Sequence, residues 1–412
     1  MKSWKGPVLL YLSSQLITQF GTSLVSYAIF WHITLETQSG AMITLYTLVG
    51  FLPTLLLSPF AGVWADRYDR KALIIWSDLA IAASSLVFAF LYSQGYQALW
   101  LLFLISAIRA MGSGIQTPAT NALLPQLVPR EELVKVNGWM SSASSIMGIL
   151  SPIAGAALLA VAELDVVLLV DVVTAAIGVG ILLRLAVPPY QECGNGECGD
   201  FFQDLKGGLR YIRQHPYIYR LFLYFAVFYF FVSPAAFLTP LQVVRLYGEE
   251  IYRLTAIEIG FFVGMLAGGG LIGVWGGFRN RIHTLIFSIL LGALLNVSLG
   301  MPISFPLYLG VMVLMGISVV MFQAPTNGLL QERVPEDVAG RVFGVLNMIS
   351  TSMFPLGLLL FGPLADKVSI EAIMLGTGGI LLLQGAFMVR DRGLLAAGEP
   401  LDKENLSEGE KI

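Results

Sequence analysis

A short charged connection in this sequence reads Gly62-Val63-Trp64-Ala65-Asp66-Arg67-Tyr68-Asp69-Arg70-Lys71. It joins two long apolar runs, residues 41–65 and 72–93, and holds five charges within residues 66–71. Gly62 would let two helices approach closely, Asp66 stands where the first helix ends, and the basic residues face water. The stretch therefore predicts a tight polar turn between two membrane-spanning helices.

The composition is that of a membrane protein. Of the 412 residues, 56% are hydrophobic and only 12% are charged, and the mean hydropathy is +0.76. A soluble chain has roughly 25% charged residues. Because one soluble core could not bury this much apolar surface, the surplus must face lipid. No basic domain or stripe exists, which argues against nucleic acid as a partner.

Apolar runs long enough to cross a membrane recur along the whole chain. A helix needs about 20 residues to cross a hydrocarbon core of ~30 Å. The sequence predicts spans at residues 8–36, 41–65, 72–93, 98–124, 138–161, 165–186, 217–247, 255–277, 283–300, 305–330, 340–364 and 371–390. The predicted fold is an all-α membrane protein, with twelve transmembrane helices arranged as two pseudo-symmetric six-helix bundles.

The predicted bundles are residues 1–186 and 217–390. Between them, residues 187–216 form a cytoplasmic linker that becomes amphipathic, and we expect a helix lying on the inner membrane surface. Residues 391–412 are a polar cytoplasmic tail that we expect to be mobile. If Met1 is cytoplasmic, most of the 24 lysines and arginines fall on the cytoplasmic side. This asymmetry predicts a multi-pass protein of the plasma membrane with both termini in the cytoplasm.

Internal repetition supports two related halves. Three motifs recur at matching places, as Asn121 with Asn327, Pro129 with Pro335 and Gly62-Val63-Trp64 with Gly273-Val274-Trp275. The first two are offset by 206 residues and the third by 211. Such a parallel repeat is typical of transporters built from two bundles.

Three ionisable residues inside predicted spans are candidates for proton coupling, because a charge buried in a bilayer usually marks function. Asp171 lies among valines in span six and is the first candidate for the proton carrier; the alternative is a hydrogen-bonded acid near the outer interface. Arg109 lies within span four and requires a carboxylate or carbonyl partner, for coupling, substrate binding or a structural ion pair. Asp78, in span three, is expected instead to pair with a neighbour at the inner gate.

A polar stripe on span one and polar residues on spans four and ten are candidates for lining a substrate cavity, since facing lipid would cost free energy. Span seven is densely aromatic, and rings on its cavity side would suit a bulky, partly apolar ligand. The candidates are Gln15, Gln19, Thr22, Ser26, Gln116, Asn121, Phe228, Gln323 and Asn327.

Small residues on span five, at Ser151, Pro152 and Gly155, predict close helix contact. Span eight offers a matching series of glycines, among them Gly264 and Gly268, as the partner. Generic small-residue contact is the alternative interpretation.

No motif for enzymatic chemistry or nucleotide binding stands out. There is no P-loop, which argues against ATP-driven pumping, and no nucleophile–base pattern. Cys193 and Cys198 have a poor spacing for zinc. We therefore expect no metal, no cofactor and no enzymatic activity.

The pattern G-x-x-x-D-R-x-x-R-K at residues 62–71 resembles the signature between helices two and three of the major facilitator superfamily of transporters. Arg109 resembles the superfamily's fourth-helix arginine, although the usual glutamine is absent. The Ser151-Pro152 region is similar to the antiporter signature of helix five, with serine and alanine replacing two glycines. Residues 325–344 resemble the macrolide-efflux and siderophore-export branch, a branch of drug:proton antiporters.

The resemblance implies alternating access by two rocking halves, with proton influx driving export of a small, partly hydrophobic molecule such as a macrolide-like drug. It implies no bound cofactor. It also implies a gating motif, consisting of Gly62, Asp66, Arg67, Arg70 and Lys71. Its partners would be the small-molecule substrate, protons and the lipid bilayer, and we expect a monomer. The alternatives are a siderophore or lysophospholipid transporter of the same fold, or a non-transporting membrane sensor that signals through its amphipathic linker.

Overall fold

The structure is a computed structural model that describes residues 4–187 and 201–399. Its described residues form helices and no strand. The α-helices are α1 Lys5–Thr37, α2 Gly40–Arg67, α3 Arg70–Ser93, α4 Leu99–Leu127, α5 Leu133–Leu159, α6 Leu164–Leu183, α7 Phe201–Gln214, α8 Pro216–Phe237, α9 Thr239–Tyr247, α10 Ile251–Trp275, α11 Arg281–Leu299, α12 Phe305–Arg333, α13 Glu336–Leu364, α14 Ile370–Arg390 and α15 Arg392–Ala397.

Twelve spans in the described ranges are long and apolar enough to cross a membrane. Each overlaps one of the twelve predicted runs, so the predicted all-α membrane fold is confirmed. The seventh span, Pro216–Tyr247, contains both α8 and α9. Leu238 separates the two helices, and Pro240 lies in the first turn of α9, where a proline costs no hydrogen bond within that helix.

The chain divides into two compact units. The first consists of Met1–Gly199 and Val243–Ile259, and the second of Asp200–Gln242 and Gly260–Ile412. In the first unit, α1 packs against α5 and α6, α3 against α4 and α6, and α2 against α4. The domain boundaries expected from the sequence stay a prediction.

The second unit repeats these helix pairs with its own elements. There, α8 packs against α13 and α14, and α11 against α12 and α14. The N-caps repeat as well, because the Asp69 side chain accepts from Lys71 N and the Asn280 side chain accepts from Ile282 N, both at 2.9 Å. These two residues are 211 positions apart, as the repeated motifs predict, so each half begins its third span with the same device.

Glycines set the closest helix contacts in both units. A Cβ on Gly178 of α6 would clash with Thr18 of α1 and lie 3.2 Å from the Ser14 carbonyl oxygen. In the second unit, a Cβ on Gly264 would clash with the backbone of Val313 in α12. The glycines of span eight that we expected to face span five thus include one that packs against span ten.

The predicted linker and tail are partly described. The amphipathic segment forms α7, which packs against α8 and α13, while residues 188–200 and the side chains of 201–206 lie outside the described part. The first residues of the tail form α15, and its expected mobility stays a prediction. They are held because Arg220 Nη1 donates to Asp391 Oδ1 at 2.7 Å and Asn280 Nδ2 donates to the Leu395 carbonyl at 2.8 Å.

Candidate functional site

The first unit buries an ion pair between α4 and α6. The guanidinium of Arg109 donates through Nη1 to Asp171 Oδ2, and the two residues are 5% and 1% exposed. Ser85 of α3 also donates to Asp171 Oδ2, at 2.7 Å, and accepts from Arg109 Nη1 at 3.0 Å. Thr22 of α1 completes the group, because its Oγ1 donates to Asp171 Oδ1 at 3.3 Å and its carbonyl accepts from Arg109 Nη2 at 2.9 Å.

These four residues, the charged cluster, come together because α1, α3, α4 and α6 pack side by side. The prediction that Arg109 needs a carboxylate or carbonyl partner is met by both kinds of acceptor. Arg109 stays charged under all protein conditions, whereas a carboxyl group can bind a proton. If its carboxyl group bound a proton, the charged cluster would change from no net charge to one positive charge while it stayed buried.

Asp78 lies on the same helix as Ser85 and is also buried, at 3% exposure. Its Oδ1 accepts from Gln116 Nε2 of α4 at 2.8 Å. Its Oδ2 has no hydrogen-bond partner among the described residues. The neighbour that the sequence analysis expected for Asp78 is thus a neutral amide.

The polar stripe on span one is bonded to other helices of the first unit. Gln15 Oε1 accepts from Thr120 Oγ1 at 3.1 Å, and Gln19 Oε1 accepts from Ser144 Oγ at 3.3 Å. Gln15 is buried and Gln19 exposed. Thr22 belongs to the charged cluster, and the Ser26 carbonyl accepts from the Tyr46 hydroxyl at 3.1 Å.

The remaining cavity candidates differ in exposure. The side chains of Asn121, Gln323 and Asn327 are exposed. Phe228 is instead 6% exposed, and its ring stacks on Phe322 at 4.4 Å between centroids, inside the second unit. Substrate contact by any of the candidates stays a prediction.

The predicted gating motif holds the first unit together at one end of its helices. Arg70 donates to the carbonyls of Ala65 and Ala122, both at 2.8 Å. Lys71 Nζ donates to the carbonyl of Leu185 at 2.7 Å and to that of Leu183 at 3.1 Å. The side chain of Asp66 lies outside the described part, and Arg67 is exposed.

Two small-residue positions behave differently. A Cβ on Gly62 would meet no described atom within 4 Å, so the close helix approach expected there is not found among the described residues. Gly155 of α5 does approach another helix, with its Cβ position 3.4 Å from the Leu24 carbonyl oxygen of α1. Nearby Ser151 is buried, and Pro152 lies within α5.

Sequence reasoning missed Ser85, which contacts both charges of the cluster. A signal was available, because Ser85 follows Asp78 by seven residues and so lies on the same helix face. Cys193 and Cys198 lie outside the described residues. Within the described ranges, no group of three or more His, Cys, Asp or Glu residues could hold a metal ion.

Comparison with known proteins identifies relatives along most of the chain. The family model described as Major Facilitator Superfamily matches residues 11–358. A macrolide efflux protein A of Streptococcus pyogenes is 30% identical over 92% of this chain and 94% of its own length. A protein of the same name from Enterococcus faecalis is 32% identical over 78% of this chain and 100% of its own.

A solved structure supports the fold alone. A crystal structure of a nucleoside transporter superposes with a TM-score of 0.71 at 14% sequence identity. The match covers 94% of this chain and 99% of that transporter.

Proposed function

This chain belongs to the major facilitator superfamily of membrane transporters, and we propose that it exports a small, partly hydrophobic molecule by alternating access, driven by proton influx. The relatives named for macrolide efflux support a macrolide-like substrate. The membrane would be the plasma membrane, with both termini in the cytoplasm, and the working form a monomer. The fold and the relatives are those of transporters, not of enzymes.

The observation that carries the proposal is the buried ion pair of Arg109 with Asp171. A buried ion pair is often no more stabilising than apolar side chains of the same volume. Ionisable residues inside a membrane protein are instead typical of proton and substrate pathways. The ion pair is therefore better explained by a role in transport than by a contribution to stability.

Proton binding at Asp171 provides the coupling step. In the ionised state, the carboxylate holds the Arg109 guanidinium, Ser85 and Thr22 between four helices. A proton on Asp171 removes the counter-ion of Arg109, which must then find another acceptor. The two protonation states thus favour two arrangements of α1, α3, α4 and α6, and a proton gradient biases the equilibrium between them.

One proton supplies enough free energy for useful export. A charge that moves down a potential of about 100 mV releases ~2.3 kcal/mol. Since each 1.4 kcal/mol corresponds to a tenfold change, this supports a substrate gradient of about fifty-fold. A single titrating acid is therefore sufficient.

The gating motif would act at the cytoplasmic end of the first unit. Arg70 and Lys71 fix the start of α3 to carbonyls at the ends of α2, α4 and α6. The C-terminal ends of α2, α4 and α6 lie near these contacts, and their partial negative charge favours basic side chains there. In the proposed cycle, Asp66 and Arg70 hold the cytoplasmic side of the transport path closed.

Transport by purified protein in liposomes tests the proposal. The expected result is that labelled erythromycin accumulates inside proteoliposomes only when an acidic interior is imposed, and that a protonophore abolishes the accumulation. The matched control is liposomes without protein, which correct for passive partition of this weak base. Equal uptake with and without the protein, or protein-dependent uptake that a protonophore does not change, would contradict proton-driven export of macrolides.

A further inference from the structure

A second buried acid lies along the contact of α3 with α4 in the first unit. Asp78 is 3% exposed, and only one of its two carboxyl oxygens is hydrogen bonded among the described residues. The bonded oxygen, Oδ1, faces the Gln116 amide, and the unpartnered oxygen is Oδ2. The charged cluster does not use this carboxyl group in the arrangement seen here.

The charged groups on the neighbouring helices are engaged elsewhere. On α4 and α6, Arg109 and Asp171 bind each other. On α3 itself, Lys71 binds the carbonyl of the last residue of α6 and one just beyond it, and Arg70 binds carbonyls of α2 and α4. Arg67, at the end of α2, is exposed. No described side chain forms an ion pair with Asp78.

We propose that Asp78 holds a proton in this structure and is a second proton-binding site, in series with Asp171. An unpaired carboxylate excluded from water costs far more free energy than a neutral carboxylic acid in the same place. This inference rests on the proposed function, because a proton path has a use only if transport is coupled to protons.

Three polar side chains, spaced along one face of α3, define the direction of the proposed proton path. Ser85, which binds Asp171, lies seven residues from Asp78 on the same face of α3, about 10 Å along the axis. Lys71 lies seven residues further, at the start of α3. Asp78 is therefore halfway between the charged cluster and the end of the helix that carries the gating motif.

A second buried nitrogen without a partner among the described residues belongs to Gln15 of α1, which contacts α4 one helical turn beyond Gln116. Thr120, four residues after Gln116, donates to Gln15, whose Nε2 is buried without a partner among the described residues. The amide of Gln15 and the carboxyl of Asp78 thus bond to successive turns of the same face of α4, and the proposed path would run along this face between Asp171 and the Lys71 end.

Proteoliposomes with an entrapped pH-sensitive dye test this site. We expect Asp78→Asn to lower the proton flux driven by an erythromycin gradient about tenfold or more. Exchange of labelled for unlabelled erythromycin without a pH gradient is expected to continue, because Asn keeps the shape of the neutral acid. Asp78→Glu is expected to restore the proton flux, and Glu163→Gln, at an exposed acid, is the matched control.

The outcomes separate the two proposals. If the wild type moves no protons, proton coupling fails, and the second site fails with it. If the wild type moves protons and Asp78→Asn does too, only the second site is overturned. If Asp78→Asn stops both proton flux and erythromycin exchange, Asp78 has a structural role and the inference is again overturned.

A measurement on the wild type needs no variant. Dicyclohexylcarbodiimide reacts with protonated carboxyl groups in apolar surroundings. Mass spectrometry of the digested protein is expected to find the adduct on Asp78. An Asp78 that stays unmodified after prolonged treatment with excess reagent would overturn the proposal.

Discussion

The two units make the same contact between their third and sixth helices, but only one of them places a charge there. In the first unit, Ser85 of α3 donates to Asp171 of α6 at 2.7 Å. In the second, Asn296 of α11 donates to Thr377 of α14 at 3.2 Å. Ser85 and Asn296 are 211 residues apart, and Asp171 and Thr377 are 206 apart, as in the repeated motifs. A charged contact in one half is thus neutral in the other.

The arginine is replaced as well. The position 206 residues after Arg109 is Met315, which is 6% exposed. Among the described residues, the buried charged side chains are Asp78, Arg109 and Asp171, and all three lie in the first unit. The second unit shows that this helix arrangement forms without buried charges. The difference teaches that this fold does not require charges at these positions, which is what the proposed role of the first unit's charges in proton coupling predicts.

The largest effect is expected from breaking the charged pair on one side. Arg109→Met introduces the residue of the second unit but leaves Asp171 without its counter-ion. Removing one partner of a buried ion pair costs about 3–5 kcal/mol. Denaturation of purified protein in mixed micelles should therefore show a loss of that size in the free energy of unfolding.

The double variant Arg109→Met with Asp171→Thr is the control that sharpens the comparison. It gives the first unit the residues found at Met315 and Thr377. We expect most of the lost stability to return, because no unpaired charge remains, while proton-coupled transport stays absent. A double variant that is less stable than the single one would show that the fold itself depends on the charges.

A smaller effect is expected where α1 meets α6. Gly178→Ala would press a methyl group against Thr18 and the Ser14 carbonyl of α1. Overfilling of this kind costs about 1–3 kcal/mol. The counterpart of Gly178, offset by 206, is Gln384, which has room for a long side chain. Retained stability of Gly178→Ala in the same micelle assay would show that the two helices separate easily.

The smallest effect is expected at that counterpart. Gln384 Nε2 donates to the Tyr224 carbonyl of α8 at 2.8 Å, so a hydrogen bond replaces the close glycine contact of the first unit. Gln384→Met keeps the length of the side chain and removes the bond. The expected loss in the free energy of unfolding is about 1 kcal/mol. A loss as large as that of Gly178→Ala would mean that the second unit depends on this bond more than the comparison implies.

The fold could be predicted from the sequence because the length of an apolar run decides whether it spans a membrane. Burial of Arg109 and Asp171 was also expected, since both lie within spans. Their mutual contact was not, because the partner of a side chain depends on which helix faces meet, and 62 residues separate these two. Ser85 escaped notice because one serine in a span costs little and so gives a weak signal.

Two further contacts could not be predicted for the same reason, which is that the partner of a side chain depends on the tertiary structure. Phe228 was predicted to line a cavity from the aromatic density of span seven, and this stays a prediction. Its contact with Phe322 was not foreseen, because helix periodicity does not say which neighbour a ring meets. The short helix α15 was not expected, because its order comes from contacts such as that of Asp391 with Arg220, far away in sequence. Local pattern therefore predicted the elements better than their partners.

The central claim is that Asp171 carries the proton. Its most direct test is the erythromycin-driven proton flux of Asp171→Asn in dye-loaded proteoliposomes, with Thr377→Ser in the second unit as the matched control. The expected result is no proton flux in Asp171→Asn, with bound erythromycin still measurable, and wild-type flux in the control. Proton flux at the wild-type level in Asp171→Asn would contradict the claim.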